Sequence, residues 1–532
     1  FRRLPPCHNS LTTALLTDTY QVTMAYAYWK NGTHARSAAF DLLFRKNPFN
    51  GEFTIFAGLE ECLRFISNFT FTAADIEYLR NEPFAQTMEP DFFVYLAQLD
   101  CSELKVFAQL EGSVVFPRVP LMRVEGPLMI VQLIETSMLT LVNYASLVAT
   151  NAARHRLMAG PDATLLEFGL RRAQGPDGGV SASRYAYLGG FDGTSNLEAG
   201  RQFGIPCKGT HAHSYVQSHR GFEDVGDSRL KLLDGTACPD FIALVREQMA
   251  VLNGIKDSLP DDLRWGETNE GELAAFTSYA LAFPTNFLAL VDTYDVLKSG
   301  MPNFLAVSLA LHSLGYKPLG IRIDSGDLSY LSLRARELMQ HTQDLLGAKR
   351  AEGFARLGIT ASNDIHEEVL HSLKMHGHAI TSYGIGTHLV TCLRQPALGC
   401  VYKLVEIDGT ARIKLSQDVE KVTIPGRKEA YRLYLKNGEP VVDVMLEGTE
   451  PPPQADARIL CRHPFISTKR AFVQPARVER LYHLVWDGAG AGVPEGLDLD
   501  LLTARARCTA SIKLMRSDHL RYTNPTPYKV SV

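Results

Sequence analysis

From about residue 160 the chain repeats one pattern: a short apolar run stops abruptly at polar residues, and a helical stretch often follows. Residues 165–169 lead into Arg171, residues 188–191 into Thr194 and Ser195, and residues 205–207 into Lys208 and the segment 209–214 (GTHAHS). Further on, residues 288–291 lead into Asp292, residues 319–323 into Asp324–Asp327, residues 359–361 into Ser362 and Asn363, and residues 380–385 into Gly386 and Thr387. Strand candidates interleaved with helices such as 301–314 predict a largely parallel sheet or barrel. In such folds the chemistry gathers at the carboxyl ends of the strands. Seven successive strand candidates fit a barrel.

The flanking regions read differently. Leu15, Leu16, Tyr20, Met24 and Tyr28 recur at three-to-four spacing and predict a helix over 11–30. Residues 36–60 read as strand, loop and helix. Residues 104–135 read as β-rich, with strands at 104–110, 113–116, 121–124 and 128–133 and turns at Glu111-Gly112 and Glu125-Gly126. A strong helix is expected over 139–158. Beyond residue 400 come two hairpins: 401–405 with 412–415 around Asp408-Gly409, and 431–435 with 441–445 around Asn437-Gly438. Residues 446–456 form a Pro-rich acidic loop, and no function is legible from there to Val532. The expected division is an N-terminal α/β domain over 1–138, an α/β-barrel over 139–400, and a C-terminal β-rich region over 401–532.

Composition narrows the function classes. With 54 basic against 58 acidic residues the net charge is −4, which argues against a nucleic-acid binder that relies on a basic field. No run of about 18 apolar residues is evident, so no membrane span is expected. The nine cysteines contain no CxxC pair, which fits reduced thiols in the cytosol better than disulfides or a zinc site. No signal peptide is visible, and the sequons at Asn31 and Asn68 are read as chance.

The candidate chemistry lies at the strand ends. Arg322 with Asp324 and Asp327 suits a phosphoribosyl site: an arginine clamps phosphate, and carboxylates orient a magnesium–diphosphate or bind ribose hydroxyls. A structural ion pair is the plainer alternative. Gly384-Ile385-Gly386-Thr387 follows a strand and offers backbone N–H groups and a hydroxyl to a phosphate; a simple turn would look the same. His211, His213 and His219 cluster with Thr210 and Ser214. In an extended segment His211 and His213 would share one face. His213 suits a general base, a phosphate carrier or, less well, a zinc ligand. Phe168 and Arg171 can stack a planar ring and bind its carboxylate, or be a core ring and a surface charge. There is no GxxxxGK[ST] loop and no GxGxxG fingerprint.

These residues resemble the nicotinate phosphoribosyltransferase family. The resemblance is carried by LTDTYQVTM at 16–24, FRKNPF at 44–49, EFGLRRAQGPDGGVSASRYAYLGGFDGTSN at 167–196, GTHAHS at 209–214, VDTYDVLKSG at 291–300, GIRIDSGDL at 320–328 and GIGT at 384–387. It runs from about Leu15 to Leu415, and the last hundred residues add little to it. It implies a type II phosphoribosyltransferase fold, an α/β-barrel with an N-terminal α/β domain and a C-terminal β-rich extension, working as a homodimer. It further implies ATP-coupled, ligase-class transfer of 5-phosphoribosyl from 5-phosphoribosyl diphosphate to nicotinate, giving nicotinate mononucleotide in the first step of NAD synthesis from nicotinic acid, with Mg²⁺ or Mn²⁺ on the diphosphate. By the same resemblance His213 is transiently phosphorylated by ATP, and Asp324 lies near the ribose and the ring. Arg322, Gly386 and Thr387 hold phosphate, with Asp327 and Asn363 as further candidates. Phe168 and Tyr20 stack the ring, Tyr20 from the partner subunit. Arg171 and Thr210 bind nicotinate.

The related nicotinamide enzyme carries aspartate after the Gly-Thr of its Phe-x-Gly-Thr block, where this chain has Ser195. A carboxylate there would accept an amide N–H and repel an acid, so serine favours nicotinate. The alternatives are a nicotinamide or quinolinate phosphoribosyltransferase and a non-catalytic binding protein on the same scaffold. A Schiff-base lyase is a third, with Lys208 its one candidate at a strand end.

Overall fold

The computed structural model describes residues 2–233, 235–417, 421–466, 468–490 and 492–532. Its contacts divide the chain into two units. One comprises Phe1–Ala153, Gln174–Gly190 and Thr391–Val532; the other comprises Arg154–Ala173 and Phe191–Val390. Contacts therefore join the first and last of the three expected segments and draw 139–153 and 174–190 in with them. Arg184 illustrates why. It lies on the helix Gly175–Leu188, and its buried guanidinium ion-pairs with Glu60 and, at 2.7 Å, with Glu61 of the helix Leu59–Ser67.

The second unit holds a six-stranded parallel sheet. Its strands, numbered in chain order, are β1 Thr164–Glu167, β2 Gly193–Thr194, β3 Leu288–Leu290, β4 Gly320–Ile323, β5 Gly358–Ala361 and β6 Ser382–Ile385. They lie in the order β3-β4-β5-β6-β1-β2, and all neighbours are parallel. The register aligns the carboxyl ends: Leu290 faces Arg322, Arg322 faces Thr360, Ile385 faces Glu167, and Glu167 faces Thr194. The seventh strand candidate, 205–207, makes a single parallel bridge from Cys207 to Thr194 at the β2 edge. Four residues on, the His211 ring accepts the Leu290 N–H of β3 at 3.3 Å. One segment thus reaches both edges of the sheet.

Helix starts follow directly from the strand ends. Asp327 caps the helix Leu328–Leu346 by accepting the Tyr330 N–H at 3.0 Å, and Asn196 caps Leu197–Phe203. The helix Met301–Ser313 is buried on every face from Met301 to Leu311, the pattern of a core helix.

The first unit holds an antiparallel six-stranded sheet ordered Thr410–Ala411, Cys400–Ile407, Ser37–Phe44, Met122–Pro127, Lys105–Ala108 and His483–Asp487. A second sheet contains the hairpin Lys428–Tyr434 and Pro440–Glu447, with Gly438 at φ 84° in its turn. Several expectations need correction. The first helix spans Thr19–Lys30, and the apolar residues before it lie in turns. Residues 188–191 close the helix Gly175–Leu188, with the strand arriving at Gly193. The second arm of the first hairpin is only Thr410–Ala411. Residues 128–133, expected as a strand, are the helix Leu128–Leu133, buried throughout; a short run that is apolar on all sides carries no period to distinguish the two. With Glu135–Ala159 it makes the stretch Leu128–Ala159 long and apolar enough to cross a membrane by length and composition. In this fold 61% of its apolar window is buried, as in a core helix.

Candidate active site

Arg322, on β4, stands at the centre of the strand ends. Its Nε donates to Ser362 Oγ at 2.7 Å and its Nη2 to Asp324 Oδ1 at 3.2 Å. Ser362 Oγ donates to that same Asp324 oxygen at 2.5 Å. The guanidinium lies 5.4 Å from the centroid of the Phe168 ring, within cation–π range. A planar cation, a carboxylate and an aromatic face therefore meet at the ends of β1, β4 and β5. The second Asp324 oxygen makes no hydrogen bond among the described residues.

Beside them stands a histidine–carboxylate pair. His213 Nε2 lies 3.1 Å from Asp292 Oδ1, and the Asp292 side chain is 2% exposed. The other Asp292 oxygen accepts the Asp324 N–H at 3.2 Å and Ser325 Oγ at 2.5 Å. Asp292 thus ties the loop after β3 to the loop after β4 while it orients His213. With Asp292 accepting an Nε2–H, the lone pair of a neutral His213 lies on Nδ1.

His211 does a different job. Residues 209–214 are not one extended segment: His213 opens the helix His213–Gln217, so the two rings do not share a strand face. His211 is buried, and its Nε2 accepts the Leu290 N–H. Burial, with the positive charges of Arg322 and His213 adding to it, pushes its pKa down to about 4. Its ring is neutral at physiological pH, as an acceptor nitrogen requires.

Phe168 is seated by a glycine. A Cβ on Gly384 of β6 would lie 2.3 Å from Phe168 Cδ2 and 2.5 Å from Cε2. The first glycine of GIGT therefore makes room for an aromatic ring, beyond the phosphate role read from the sequence. Gly386 and Thr387 follow on the same strand end, both half-buried. Glu167, buried at the end of β1, accepts Thr194 Oγ1 at 2.5 Å and the Gly169 N–H. Its carbonyl accepts the Ser195 N–H at 3.0 Å. That network fixes the exposed Ser195 at the end of β2.

The other expected residues divide. Thr210 and Asn363 are half-buried at strand ends, and Arg171 is exposed on the turn Leu170–Arg172 with no ion pair among the described residues. Asp327 caps a helix, so its carboxylate already serves the fold. Tyr20 belongs to the other unit, 47% exposed at the start of the helix Thr19–Lys30.

Sequence reasoning passed over Asp292 and Ser362 as members of this constellation, although both follow a strand as Asp324 does. It also passed over Glu272. This carboxyl is buried beneath the loop after β3, where Oε2 accepts Ser299 Oγ at 2.6 Å and Asn303 Nδ2 at 3.0 Å. Burial pushes its pKa up to about 7, and Asp292 and Asp295 add to the rise.

Among the described residues no group of three or more His, Cys, Asp or Glu side chains could hold a metal ion. The donors present fit magnesium in its usual manner, on one or two carboxylates together with substrate phosphates.

Comparison with known proteins shows the family. The family model of the nicotinate phosphoribosyltransferase N-terminal domain matches residues 15–143, and that of its C-terminal domain matches residues 427–532. The second match extends the likeness into the region where the sequence motifs had stopped. Nicotinate phosphoribosyltransferase 2 of Arabidopsis thaliana is 55% identical over 525 residues, 98% of this chain and 93% of that protein. The human nicotinate phosphoribosyltransferase is 45% identical over 516 residues, 97% of this chain and 94% of that protein. The crystal structure of human nicotinic acid phosphoribosyltransferase superposes with a TM-score of 0.84 at 42% identity, covering 97% of each chain. That of nicotinate-nucleotide pyrophosphorylase from Pyrococcus furiosus superposes with a TM-score of 0.61 at 17% identity over 96% of this chain and 98% of that one, a likeness of fold alone.

Proposed function

Because this chain belongs to the nicotinate phosphoribosyltransferase family, we propose that it transfers 5-phosphoribosyl from 5-phosphoribosyl diphosphate to nicotinate in NAD synthesis, coupled to ATP. The observation that carries the reading is the double constellation at the strand ends: Arg322, Asp324 and Ser362 over Phe168, with His213 on Asp292 beside them.

The chemistry follows from these groups. The ring nitrogen of nicotinate supplies the electron pair for the new bond to the anomeric carbon. The bond from that carbon to diphosphate breaks, and its electron pair leaves with the diphosphate. The sugar passes through an oxocarbenium-like state, so positioning and electrostatics dominate. Phe168 stacks the ring, Arg171 and Thr210 take its carboxylate, and Ser195 leaves room for that charge. Arg322, Gly386 and Thr387 hold phosphate, with Asn363 nearby. Asp327 is the weaker candidate, since it caps a helix. Magnesium, or manganese, would be held by the diphosphate and the open Asp324 oxygen; when bound it neutralises charge on the leaving group.

ATP enters through His213. Its Nδ1 lone pair takes the terminal phosphoryl group, ADP leaves, and Asp292 balances the charge on the ring. Water later releases the phosphoryl group as inorganic phosphate. Consumption of ATP makes the reaction ligase-class. A homodimer belongs to the same proposal, with the exposed Tyr20 offered to the partner's site as the second stacking face. So does a cytosolic location, supported by nine cysteines outside any disulfide.

The test is His213→Ala. ATP stimulation of mononucleotide formation is lost while some uncoupled transfer remains; full ATP stimulation in the folded variant overturns the role of His213.

A further inference from the structure

The C-terminal region, in which the sequence alone offered no function, forms most of a cavity of about 320 Å³ in the first unit. The helix Leu501–Leu514 presents Arg507, Ala510, Ser511 and Leu514 to it, at the spacing of one helical face. Four arginines line the cavity against a single carboxylate, Glu479. Three of them are already paired with carboxylates. Arg432 makes a two-pronged pair with Asp443 at 2.8 Å, Arg477 pairs with Glu479 at 3.0 Å, and Arg480 with Glu429 at 2.8 Å. Glu479 is further occupied by Tyr434 Oη at 2.5 Å.

Arg507 is the exception. It is half-buried, it donates to the Glu111 carbonyl oxygen, and it ion-pairs with no carboxylate among the described residues. Burial pulls it below the usual arginine range despite Glu111 and Asp498, which act the other way. Burial likewise pulls down His483 at the rim, with Arg480 adding to the effect, Glu479 opposing it and Arg507 adding again. Glu111 and Asp498 offset only part of the cost of taking this guanidinium from water, and an anion beside it offsets more. Ser113 and Ser511 supply hydroxyl donors on the same walls.

We propose that this cavity binds a phosphate-class oxyanion, through Arg507 with Ser511, Arg480 and His483 around it. It shares no residue with the strand-end site. Arginine forks and hydroxyls match phosphate oxygens, and the one lining carboxylate is already neutralised. The anion is either free phosphate or diphosphate, or the phosphate tail of a nucleotide.

Calorimetric titration of the full chain tests this, with inorganic phosphate, diphosphate and ATP as separate probes. Diphosphate is expected at two sites per chain in the unmodified protein, and at one in Arg322→Ala, where the strand-end site is impaired. Ser511→Asp puts a negative charge in the cavity while breaking none of its hydrogen bonds. It should weaken the remaining site of Arg322→Ala about tenfold or more, the scale of one charge-assisted bond. Arg507→Ala should do the same. Binding of inorganic phosphate or diphosphate there identifies the free anion; ATP binding that Ser511→Asp or Arg507→Ala weakens, with neither of the smaller anions bound there, identifies a nucleotide. A single diphosphate site lost in Arg322→Ala, with no remaining binding of any probe that Ser511→Asp or Arg507→Ala weakens, overturns the proposal. So does an isotherm that neither Ser511→Asp nor Arg507→Ala changes. Two sites surviving in Arg322→Ala, one of them sensitive to Ser511→Asp, would leave the cavity standing and remove Arg322 from phosphate binding.

Discussion

Gly384→Ala adds one methyl group to a residue that touches no substrate in the proposed reaction. The new Cβ would lie 2.3 Å from Phe168 Cδ2 and 2.5 Å from Cε2. Carbon atoms settle at about 3.5–4.0 Å, so the ring or the strand must give way by about 1 Å or more. Gly384 is buried in β6, where it pairs with Leu166 of β1 and the preceding Tyr383 pairs with Ala361 of β5, so the ring is the freer partner. Phe168 is the stacking face in this account and lies under Arg322. Loss of a well-placed aromatic contact costs about 1 kcal/mol, or about fivefold in KM for nicotinate. KM for 5-phosphoribosyl diphosphate should move much less. Initial rates over a grid of both substrates give both constants. A double-mutant cycle with Phe168→Ala decides the route. If the methyl group acts through the ring, Gly384→Ala changes nicotinate KM little once Phe168 is already alanine. An unchanged nicotinate KM in a folded Gly384→Ala protein, or fully additive effects in the cycle, would refute the reasoning.

Asp292→Asn removes the charge that orients His213 and accepts from the β4 loop; at about 1.5–3 kcal/mol for charge-assisted bonds, ATP-stimulated turnover should fall roughly tenfold to a hundredfold, with uncoupled turnover falling far less. Equal losses with and without ATP would make Asp292 merely structural. Ser195→Asp should raise nicotinate KM about tenfold or more through repulsion between carboxylates, and no change would remove Ser195 from the acid-recognising wall. Glu272 is raised from 4.5 to about 7 in the fold, so the native state holds its proton where the unfolded chain has released it. Its contribution is therefore most favourable below pH 4.5 and is lost as pH rises through about 7, a span of about 3 kcal/mol. Denaturant midpoints of Glu272→Gln should accordingly gain on the unmodified protein between pH 5 and pH 8, and parallel pH profiles would contradict the burial argument.

Part of the strand-end constellation was legible because strand ends announce themselves. A parallel strand buried on both faces must be apolar, so Arg322 and Asp324 stand out where the apolar run stops, while Ser362, which also follows a strand, was passed over. The Asn437-Gly438 hairpin was legible for a similar reason, since few residues tolerate its turn. What escaped depends on contacts distant in sequence. Asp292 looked like one more strand end until its two oxygens were seen to take His213 on one side and the Asp324 loop on the other. His211 and His213 looked like a pair, but a helix start between them sends one ring to a backbone N–H and the other to a carboxylate. Residues 128–133 lacked a period, being buried on every side. The C-terminal cavity draws Gln109 and Arg507 together from opposite ends of the chain, and no local pattern records that.

The most direct test of the central claim is mononucleotide formation from 5-phosphoribosyl diphosphate and Mg²⁺, with nicotinate, nicotinamide or quinolinate offered separately, each with and without ATP. The account predicts product from nicotinate, stimulated by ATP with release of ADP, and little or none from the other two. Turnover of nicotinamide or quinolinate in preference to nicotinate, or no turnover of any of the three by the folded protein, would contradict it.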